Sequence, residues 1–526
     1  MTGRAGGVGH DGPVGAVALT PGAVDALRAD LAPWTVDAVE AVLGPVASAA
    51  LHRERRVPAL WATGRGDGPG GPGGPASEPI ATLTRLFMLG APVTRARLDA
   101  ALPRLGTDGA AAAGLVAAAG ASRGDEVRAL LDLRPCLGTW LASDLGQTAT
   151  GSPLERDHVL GVGGASLTLA ELTIRDPVGR ALDLGTGCGV QAVLAARHSG
   201  QVVATDISAR ALAIARLNLA LAAVEADLRA GSMLEPVAGE TFDLVVSNPP
   251  FVITAPALRA GGVFEYRDGG ARGDDLVRDL TRGVPGVLAP GGVAQFLGNW
   301  EHVRGQEWRD RVASWLDPAL DAWVVQREVL DPPAYIETWL RDAGLTPERD
   351  RAGYEAAYEA WLADFTGRGV EAIGLGSILL RRPAREVARP WRRLEEATGP
   401  TRDLGTHLAG VLAGVDALRA LGPDLVGALA GRRLTVAPDV TEERHHLPGA
   451  ADPTVVLLRQ GGGYGRVRRV GTEVAAFVGA CDGELTVAQI GAALAELIDG
   501  AGDPVTVTER LCAQVPELLT DGWLTL

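Results

Sequence analysis

The chain of 526 residues has room for about two to four domains, at roughly 100 to 200 residues for each. Hydrophobic residues make up 47% and charged residues 21% of the chain, a globular composition that excludes wholesale disorder. The net charge of -15 argues against indiscriminate binding to phosphate backbones, because an acidic chain repels polyanions.

The cysteines are scattered and form no C-x-x-C pair. They are Cys136, Cys188, Cys481 and Cys512. This spacing favours neither a disulfide framework nor a thiolate zinc site, and the pair His445 and His446 lacks a third close ligand, so we expect no metal. The longest near-apolar run, at 109–121, is too short to span a bilayer. We expect a cytoplasmic protein without membrane contact; the sequence leaves its oligomeric state open.

Helical periodicity dominates the first part of the chain. Apolar residues recur with helical spacing from 21 to about 60, and short helices are predicted after 80 and after Thr94. Residues 64–79 form a Gly- and Pro-rich tract that predicts a flexible surface loop. Residues 131–134 and a segment around Trp140 predict a small sheet. We predict a helical or winged-helix-like domain over 1–150 that recognises the substrate.

Short apolar runs alternate with helical segments between 151 and 383. The runs that predict strands lie at 180–184, 201–205, 242–246, 292–297 and 377–380. This alternation indicates an α/β fold with a parallel, doubly wound, Rossmann-like sheet, whose ligands bind at the carboxyl ends of the strands. Residues 384–526 follow as a small α+β domain, which we predict to be winged-helix-like.

An Arg-rich stretch at 381–393 contains one aromatic residue, Trp391. Such a stretch can contact RNA phosphates while its aromatic ring stacks on a base. The favoured interpretation is an exposed linker whose arginines pair with Glu386, Glu395 and Glu396, because charge runs are usually solvated.

A glycine-rich turn follows the first predicted strand of the sheet. Gly185, Gly187 and Gly189 come directly after Asp183, and a helical segment follows them. Such glycines let the backbone turn sharply and approach a ligand, although a tight strand-to-helix connection alone explains them equally well. Asp206 ends the next predicted strand, where an acid can bind ribose hydroxyls or cap the following helix. The D-x-G-x-G-x-G spacing departs from the G-x-G-x-x-G fingerprint and disfavours hydride transfer.

The segment Asn248-Pro249-Pro250-Phe251 follows a buried strand. The two prolines stiffen the loop and remove two N–H donors, which leaves the Asn248 amide and the Pro249 carbonyl as acceptors in a fixed geometry. These acceptors can bind both hydrogens of a planar NH₂ group, and Phe251 offers a face for stacking. An Asn-Pro turn with Phe in the core is the alternative for the dipeptide alone.

Taken together, these motifs resemble motifs I, II and IV of class I S-adenosylmethionine (SAM) methyltransferases that act on exocyclic or amide nitrogens. With the segment 265–270 and Gly273, the sequence is most similar to HemK-like glutamine N5-methyltransferases of release factors. Those enzymes usually carry Tyr in place of Phe251. The Phe form is commoner in small-domain rRNA guanine-N2 and adenine-N6 methyltransferases, so a nucleic-acid base stays open as the substrate.

The resemblance implies SAM as the cofactor and assigns the site. Gly185 and Gly187 would pass under its methionine part, Asp183 would lie near its amino group, and Asp206 would hold the ribose. Ser232 replaces the usual acid at the adenine amine, and the Met233 N–H can reach a ring nitrogen. The cofactor residues implied are Asp183, Gly185, Gly187, Gly189, Asp206, Ser232, Met233 and Asn248; the catalytic ones are Asn248, Pro249, Pro250 and Phe251.

The segment 157–166 takes the place of the family's loop over the cofactor, although a plain linker is nearly as plausible. The resulting hypothesis is a SAM-dependent N-methyltransferase of a protein glutamine side chain, with a release-factor-like protein as partner. The alternatives are an rRNA or other nucleic-acid base as substrate, with rRNA or the ribosome as partner, and a non-catalytic SAM-binding regulator. No general base is needed, because positioning of the amine can supply much of the rate enhancement.

Overall fold

A computed structural model of the chain describes residues 20–64, 78–151, 154–259 and 267–526. Most of the flexible tract predicted at 64–79, and Glu265 of the family segment, lie outside these described residues. The chain divides into two compact units. The first comprises the described parts of Met1–Ser166, Val178–Asp317 and Val329–Leu375, and the second comprises Leu167–Pro177, Pro318–Glu328 and Gly376–Leu526.

The amino-terminal part of the first unit is mainly helical, as predicted. Its elements are α1 (Pro21–Leu31), α2 (Val36–Leu51), α3 (Val57–Gly64), α4 (Glu78–Leu83), β1 (Val93–Thr94), α5 (Arg95–Ala101), α6 (Gly106–Ala112), β2 (Val116–Ala118), β3 (Glu126–Ala129), β4 (Asp132–Cys136), β5 (Thr139–Ser143) and α7 (Gln147–Thr150). The Thr20 and Thr35 hydroxyls cap α1 and α2. Strands β1, β3 and β2 form an antiparallel sheet in that order, and β4 pairs with β5 in the small sheet predicted around 131–140.

Strands and helices then alternate. The next elements are α8 (Gly164–Leu172), β6 (Val178–Leu184), α9 (Val190–Ala195), β7 (Ser199–Asp206), α10 (Ala209–Ala222), β8 (Asp227–Ala230), β9 (Phe242–Ser247), α11 (Pro256–Arg259), α12 (Asp275–Gly283), β10 (Leu288–Val303), α13 (Trp308–Ala313), β11 (Asp321–Leu330), α14 (Pro332–Asp342), α15 (Arg351–Arg368) and β12 (Val370–Arg381). Each of the five predicted strand runs lies within one of these strands, so this part of the prediction is confirmed.

The sheet of the first unit has the order β10-β9-β6-β7-β8, and these five strands are parallel. Its central strands carry continuous apolar runs, which are typical of parallel strands buried on both faces. Val245 of β9 and Leu182 of β6, which are cross-strand partners, are both buried. The predicted parallel, Rossmann-like sheet is confirmed for these five strands, whereas the sheet as a whole is mixed. Arg304, after β10, donates a 2.8 Å backbone hydrogen bond to Gly369, before β12, which is the arrangement of an antiparallel pair. The sequence gives no signal for strand direction here, because two helices separate β12 from the preceding strand.

Strand β8 was not predicted, and its composition explains why. Asp227 and Arg229 form an ion pair on this strand, 2.8 Å between Oδ2 and Nη2, and the Asp227 side chain is 56% exposed. Charged residues are typical of edge strands, where they oppose pairing with another chain. The apolar periodicity used for the central strands is therefore absent from β8.

The second unit contains β13 (Arg392–Glu396), α16 (Leu404–Ala420), α17 (Leu425–Ala430), β14 (Arg433–Val436), β15 (Val440–His445), β16 (Val455–Gln460), β17 (Val467–Val470), α18 (Thr472–Gly479), β18 (Asp482–Thr486), α19 (Val487–Leu497), α20 (Pro504–Thr520) and β19 (Leu524–Thr525). Strand β13 is parallel to β11. The orders β18-β14-β19 and β15-β16-β17 describe two antiparallel sheets.

The Arg-rich stretch is not an exposed linker at its two ends. Arg381 is buried at the end of β12 and donates to Asp321 and Asp416 at 2.7 Å each. Arg393 lies in β13 and pairs with Glu395, one of the predicted partners, and with Asp521. The linker interpretation fails there because acidic residues distant in the chain neutralise both arginines within the folded unit.

Within the described ranges, no single helix has both the length and the apolar character needed to cross a membrane; only the bent pair α1 and α2 meets those two criteria jointly. All four cysteines lie in described segments, and each is a free thiol.

Candidate functional site

The candidate site lies where the carboxyl ends of β6, β7 and β9 meet. Because these strands are parallel neighbours, the residues that follow them converge at one edge of the sheet. The buried Ser247 hydroxyl, at the end of β9, donates a 2.7 Å hydrogen bond to the Leu184 carbonyl at the end of β6. This bond fixes the segment after β9 relative to the glycine turn after β6.

The glycines of this turn have two different roles. Gly185 and Gly187 have φ values of 71° and 53°, and a Cβ built on either would meet no atom within 4 Å outside its chain neighbours. Gly189 also has a positive φ, 83°, but a Cβ there would approach the Ala215 Cα and Cβ to 3.1 Å. The first two therefore leave open space for a ligand, whereas Gly189 permits close packing of α9 against α10.

Asp183 is buried beneath the turn. Its Oδ2 accepts hydrogen bonds from the Thr186 hydroxyl at 2.6 Å and from the Ala192 N–H at 2.9 Å. Burial raises the pKa of Asp183 to about 7, with the nearby Asp206 carboxylate adding to the shift. Asp183 thus ties the turn to α9 while it also lines the adjoining cavity.

Asp206, at the end of β7, organises the same turn from the other side. Its Oδ2 accepts from the Gly187 N–H and its Oδ1 from the Ser208 N–H, both at 2.8 Å. Burial raises its pKa. Ser208, rather than Asp206, is the N-cap of α10, where its hydroxyl accepts from the Ala211 N–H.

One cavity of about 370 Å³ brings most of the predicted residues together. The predicted residues that line it are Asp183, Gly185, Gly187, Asp206, Ser232, Met233, Asn248 and Pro250; Gly189, Pro249 and Phe251 are not among its lining residues. Met233 has a φ of 47°, a left-handed conformation that is rare for such a residue. The Gly231 N–H, just before it, donates to the Asp206 carbonyl at 3.0 Å, which holds this turn against the end of β7.

Asn248 presents an unused acceptor at this cavity. Its side-chain Oδ1 is buried, and among the residues that the structure describes it has no hydrogen-bond partner. A buried polar atom without a partner is unfavourable, so such an atom at a cavity wall indicates a ligand donor or a solvent molecule there. The Pro249 carbonyl, the second predicted acceptor, already accepts a 2.8 Å hydrogen bond from the Phe251 N–H. The second lone pair of this carbonyl oxygen remains available as an acceptor.

Phe251 lies beside the main cavity rather than in its wall. It is half-buried, pairs with Asp268 in an antiparallel bridge, and lines a smaller neighbouring cavity together with Pro250. The Val252 N–H donates to the Arg267 carbonyl at 2.8 Å, so the two loop segments run side by side.

The loop at 157–161 also lines the cavity; it belongs to the segment 157–166 that the family resemblance expects over the cofactor. Asp144, which the sequence analysis missed, holds this loop: its Oδ2 accepts from the Val159 N–H at 2.8 Å and from Arg210 Nε at 2.9 Å. Burial lowers the pKa of His158 in the same loop. The available signal was an acidic residue directly after the apolar strand β5.

Asn218 is a second missed residue. It is buried in α10, and its Nδ2 donates to the Cys188 carbonyl at 2.7 Å and to the Ala142 carbonyl at 2.8 Å. Its Oδ1 accepts from the Ala142 N–H at 2.6 Å. One amide thereby links the β4–β5 hairpin to the glycine turn. The available signal was a single amide on the apolar face of a helix.

In the described part of the chain, no group of three or more His, Cys, Asp or Glu side chains could hold a metal ion.

Known proteins resemble parts of this chain. Residues 162–259 match the family described as methyltransferase small domain, and residues 31–130 match a domain of unknown function, DUF7059. A release factor glutamine methyltransferase of Xylella fastidiosa is 42% identical over 130 residues, which are 23% of this chain and 47% of that protein. A ribosomal protein uL3 glutamine methyltransferase of Bordetella pertussis is 35% identical over 158 residues, which are 28% of this chain and 53% of that protein.

The chain thus spans about half the length of the curated relatives it matches. Among solved structures, a methyltransferase from Pyrococcus furiosus aligns with 41% of this chain and 81% of its own length, at 14% identity and a TM-score of 0.25. The segment that carries the glycine turn and the Asn-Pro-Pro-Phe motif is therefore similar to HemK-like class I methyltransferases, as its motifs predicted.

Proposed function

We propose that this protein is a SAM-dependent N-methyltransferase whose substrate is the side-chain amide of a protein glutamine. The observation that carries the proposal is the buried Asn248 Oδ1, which has no hydrogen-bond partner among the described residues and belongs to a residue that lines the same cavity as the glycine turn. An acceptor held in this way can bind an N–H of a planar amide.

The size of the cavity and the charge of its lining support SAM as the ligand. Its volume lies within the range of roughly 300 to 1,000 Å³ that is usual for small-molecule sites. Gly185 and Gly187 leave open space where a side chain would otherwise stand, and the lining carboxyl groups of Asp157, Asp206 and Asp268 suit a cationic ligand.

We assign the cofactor contacts as the family resemblance implies. Gly185 and Gly187 would pass under the methionine part, Asp183 would lie near its amino group and Asp206 would hold the ribose. Ser232 and Met233 would contact the adenine. Gly189 would act through helix packing instead of direct contact, since it does not line the cavity.

When bound, SAM supplies an electrophilic methyl group on its sulfonium. Asn248 Oδ1 accepts one hydrogen of the substrate amide, and the free lone pair of the Pro249 carbonyl accepts the other. These two bonds orient the nitrogen lone pair toward the methyl group, and such positioning supplies much of the rate enhancement. Pro250 keeps the segment stiff. The family resemblance assigns Phe251 to stacking on the substrate, and its ring lies beside the main cavity. The surplus proton leaves the nitrogen after transfer, so no catalytic base is required.

The similarity to two kinds of glutamine methyltransferase supports a protein substrate of the release-factor or ribosomal-protein type. The net charge of -15 also favours protein over a polyanion. A nucleic-acid base, with rRNA or the ribosome as partner, is the second candidate, because Phe251 replaces the Tyr usual in the glutamine enzymes. A non-catalytic SAM-binding regulator is the third, and the intact Asn-Pro-Pro-Phe segment argues against it.

Further proposals concern the rest of the chain. The order β1-α5-α6-β2-β3 with an antiparallel sheet supports a winged-helix-like fold in 1–150, and the helices and small sheets of 384–526 support a second such module. We propose that these flank a methyltransferase domain at 151–383 and that 1–150 recognises the substrate. Free thiols at all four cysteines support a reducing, cytoplasmic location.

The experiment is to incubate the protein with methyl-labelled SAM and a cell lysate, and then to digest separate portions with protease and with ribonuclease. A label released by protease and recovered as N-methylglutamine supports the proposal. A label released by ribonuclease instead supports the nucleic-acid alternative. No label beyond an Asn248→Ala control, despite measurable SAM binding, would support the regulator and overturn the enzyme.

A further inference from the structure

The segment that follows Phe251 is held at both backbone groups of one residue. Ile253 is fully buried, and its N–H donates a 2.9 Å hydrogen bond to the Tyr335 hydroxyl oxygen of α14. Its carbonyl accepts a 2.8 Å hydrogen bond from Trp361 Nε1 of α15. Asn299 Nδ2 of β10 donates to the same Tyr335 oxygen at 2.8 Å. Two helices therefore hold Ile253 directly, and β10 contacts it indirectly through the Tyr335 hydroxyl.

These contacts take the place of the backbone hydrogen bonds that a helix or a strand would provide. Residues 248–255 form no helix and no strand ladder, and two of them are prolines that have no N–H to donate. Buried backbone groups in such a segment need hydrogen-bond partners outside a regular ladder, and at Ile253 these partners are side chains. Tyr335 and Trp361 supply them inside a common apolar cluster that also contains Ala255 and Phe365.

Helix α14 also holds the neighbouring loop segment. Arg267 is buried and donates to the Trp339 carbonyl at 3.0 Å and to Asp342 Oδ2 at 2.8 Å, both near the end of α14. The Arg267 carbonyl in turn accepts from the Val252 N–H. The segment is thus attached to α14 directly through Tyr335 and indirectly through Arg267.

We propose that Tyr335 is a positioning residue for methyl transfer, which acts through Ile253 on the orientation of the Asn248 amide. The inference rests on the proposed function of Asn248. Pro249 and Pro250 fix two φ angles between Ile253 and Asn248, so a shift at Ile253 is passed along the segment instead of being absorbed. Since transfer depends on alignment, a displacement of about 1 Å lowers its rate by up to about 100-fold.

The test compares Tyr335→Phe with Tyr358→Phe, a matched control in α15 whose hydroxyl bonds only the exposed Glu337, at 3.3 Å, among the described contacts. We expect Tyr335→Phe to lower kcat per folded molecule by about tenfold or more, with SAM Kd changed by less than about twofold. Tyr358→Phe is expected to match wild type. A purely structural role would lower Tm and leave kcat per folded molecule unchanged, which would overturn the inference.

Hydrogen exchange provides a readout that does not require turnover. We expect peptides over 249–256 to exchange faster in Tyr335→Phe than in Tyr358→Phe. The two variants are compared under conditions that give them the same global free energy of unfolding. Trp361→Phe, which removes the donor to the Ile253 carbonyl together with part of a buried ring, should act in the same direction and serves if Tyr335→Phe does not fold. If the wild-type protein transfers no methyl group, the proposed function fails. If Tyr335→Phe and Trp361→Phe both leave hydrogen exchange at 249–256 unchanged, the positioning role is overturned, whether or not the protein is active.

Discussion

The Gly187 N–H donates a 2.8 Å hydrogen bond to Asp206 Oδ2, so the end of β7 holds the turn that follows β6. The same carboxylate accepts from the Ser208 N–H through its other oxygen. Asp206 therefore holds the backbone of the turn that lines the cavity, in addition to any contact that it makes with a ligand. Its substitution must affect binding through the turn as well as through direct contact.

Asp206→Ala removes both acceptors and is expected to weaken SAM binding by about 10- to 100-fold, or roughly 1.4 to 2.8 kcal/mol. Isothermal titration calorimetry measures this directly. Asp227→Ala on the neighbouring strand β8 is the control, because that carboxylate is exposed and pairs with Arg229 at the sheet edge. Equal SAM affinity in the Asp206 variant and wild type would contradict the role of this carboxylate.

Two glycines of the turn have different roles: Gly187 leaves space for a ligand, and Gly189 permits helix packing. Gly187→Ala should weaken SAM binding strongly, because its Cβ would enter the open space at the cavity. The decrease in Tm should be modest and should reflect only the strain of the positive φ, about 1 to 2 kcal/mol. Gly189→Ala should mainly lower Tm, because its Cβ would press on Ala215. Calorimetric binding and thermal unfolding of both variants provide the comparison. The reverse pattern would refute this division of roles.

The buried Asp183 makes stability depend on pH. Because burial raises its pKa to about 7, the folded protein binds this proton more tightly than the unfolded chain, in which the pKa is about 4. The free energy of unfolding therefore falls as pH rises from about 4 to about 7, by about 4 kcal/mol from this group.

Asp183→Asn removes this titration. Its stability relative to wild type should rise by about 4 kcal/mol between pH 4 and pH 8, as measured by urea unfolding at both values. Asp227→Asn should show no comparable change. A constant stability difference for Asp183→Asn at the two pH values would show that the native pKa is not raised.

The central strands and the site motifs were predictable because their signals are local. The apolar runs of β6, β7 and β9 reflect burial on two faces, and the positive φ angles of Gly185 and Gly187 reflect the turn itself. Each of these features is determined within a few residues of sequence. Their convergence follows from parallel strand order.

The supports of the site were not predictable, because their partners lie far away in sequence. Asn218 bonds Ala142 across 76 positions, and Tyr335 bonds Ile253 across 82. The packing role of Gly189 likewise depends on where α10 lies, and the direction of β12 depends on the path of two intervening helices. No periodicity or composition of a single segment encodes such pairings.

Methyl transfer by Asn248→Ala, measured on the substrate identified in the labelling experiment, tests whether this amide binds the reacting nitrogen. We expect a loss of kcat of about 100-fold or more and a much smaller change in SAM Kd, because the variant removes the acceptor for the amide while the other implied cofactor contacts remain. Asn248→Asp, which keeps an acceptor oxygen, should retain more activity than Asn248→Ala. Turnover by Asn248→Ala at the wild-type rate would contradict the account.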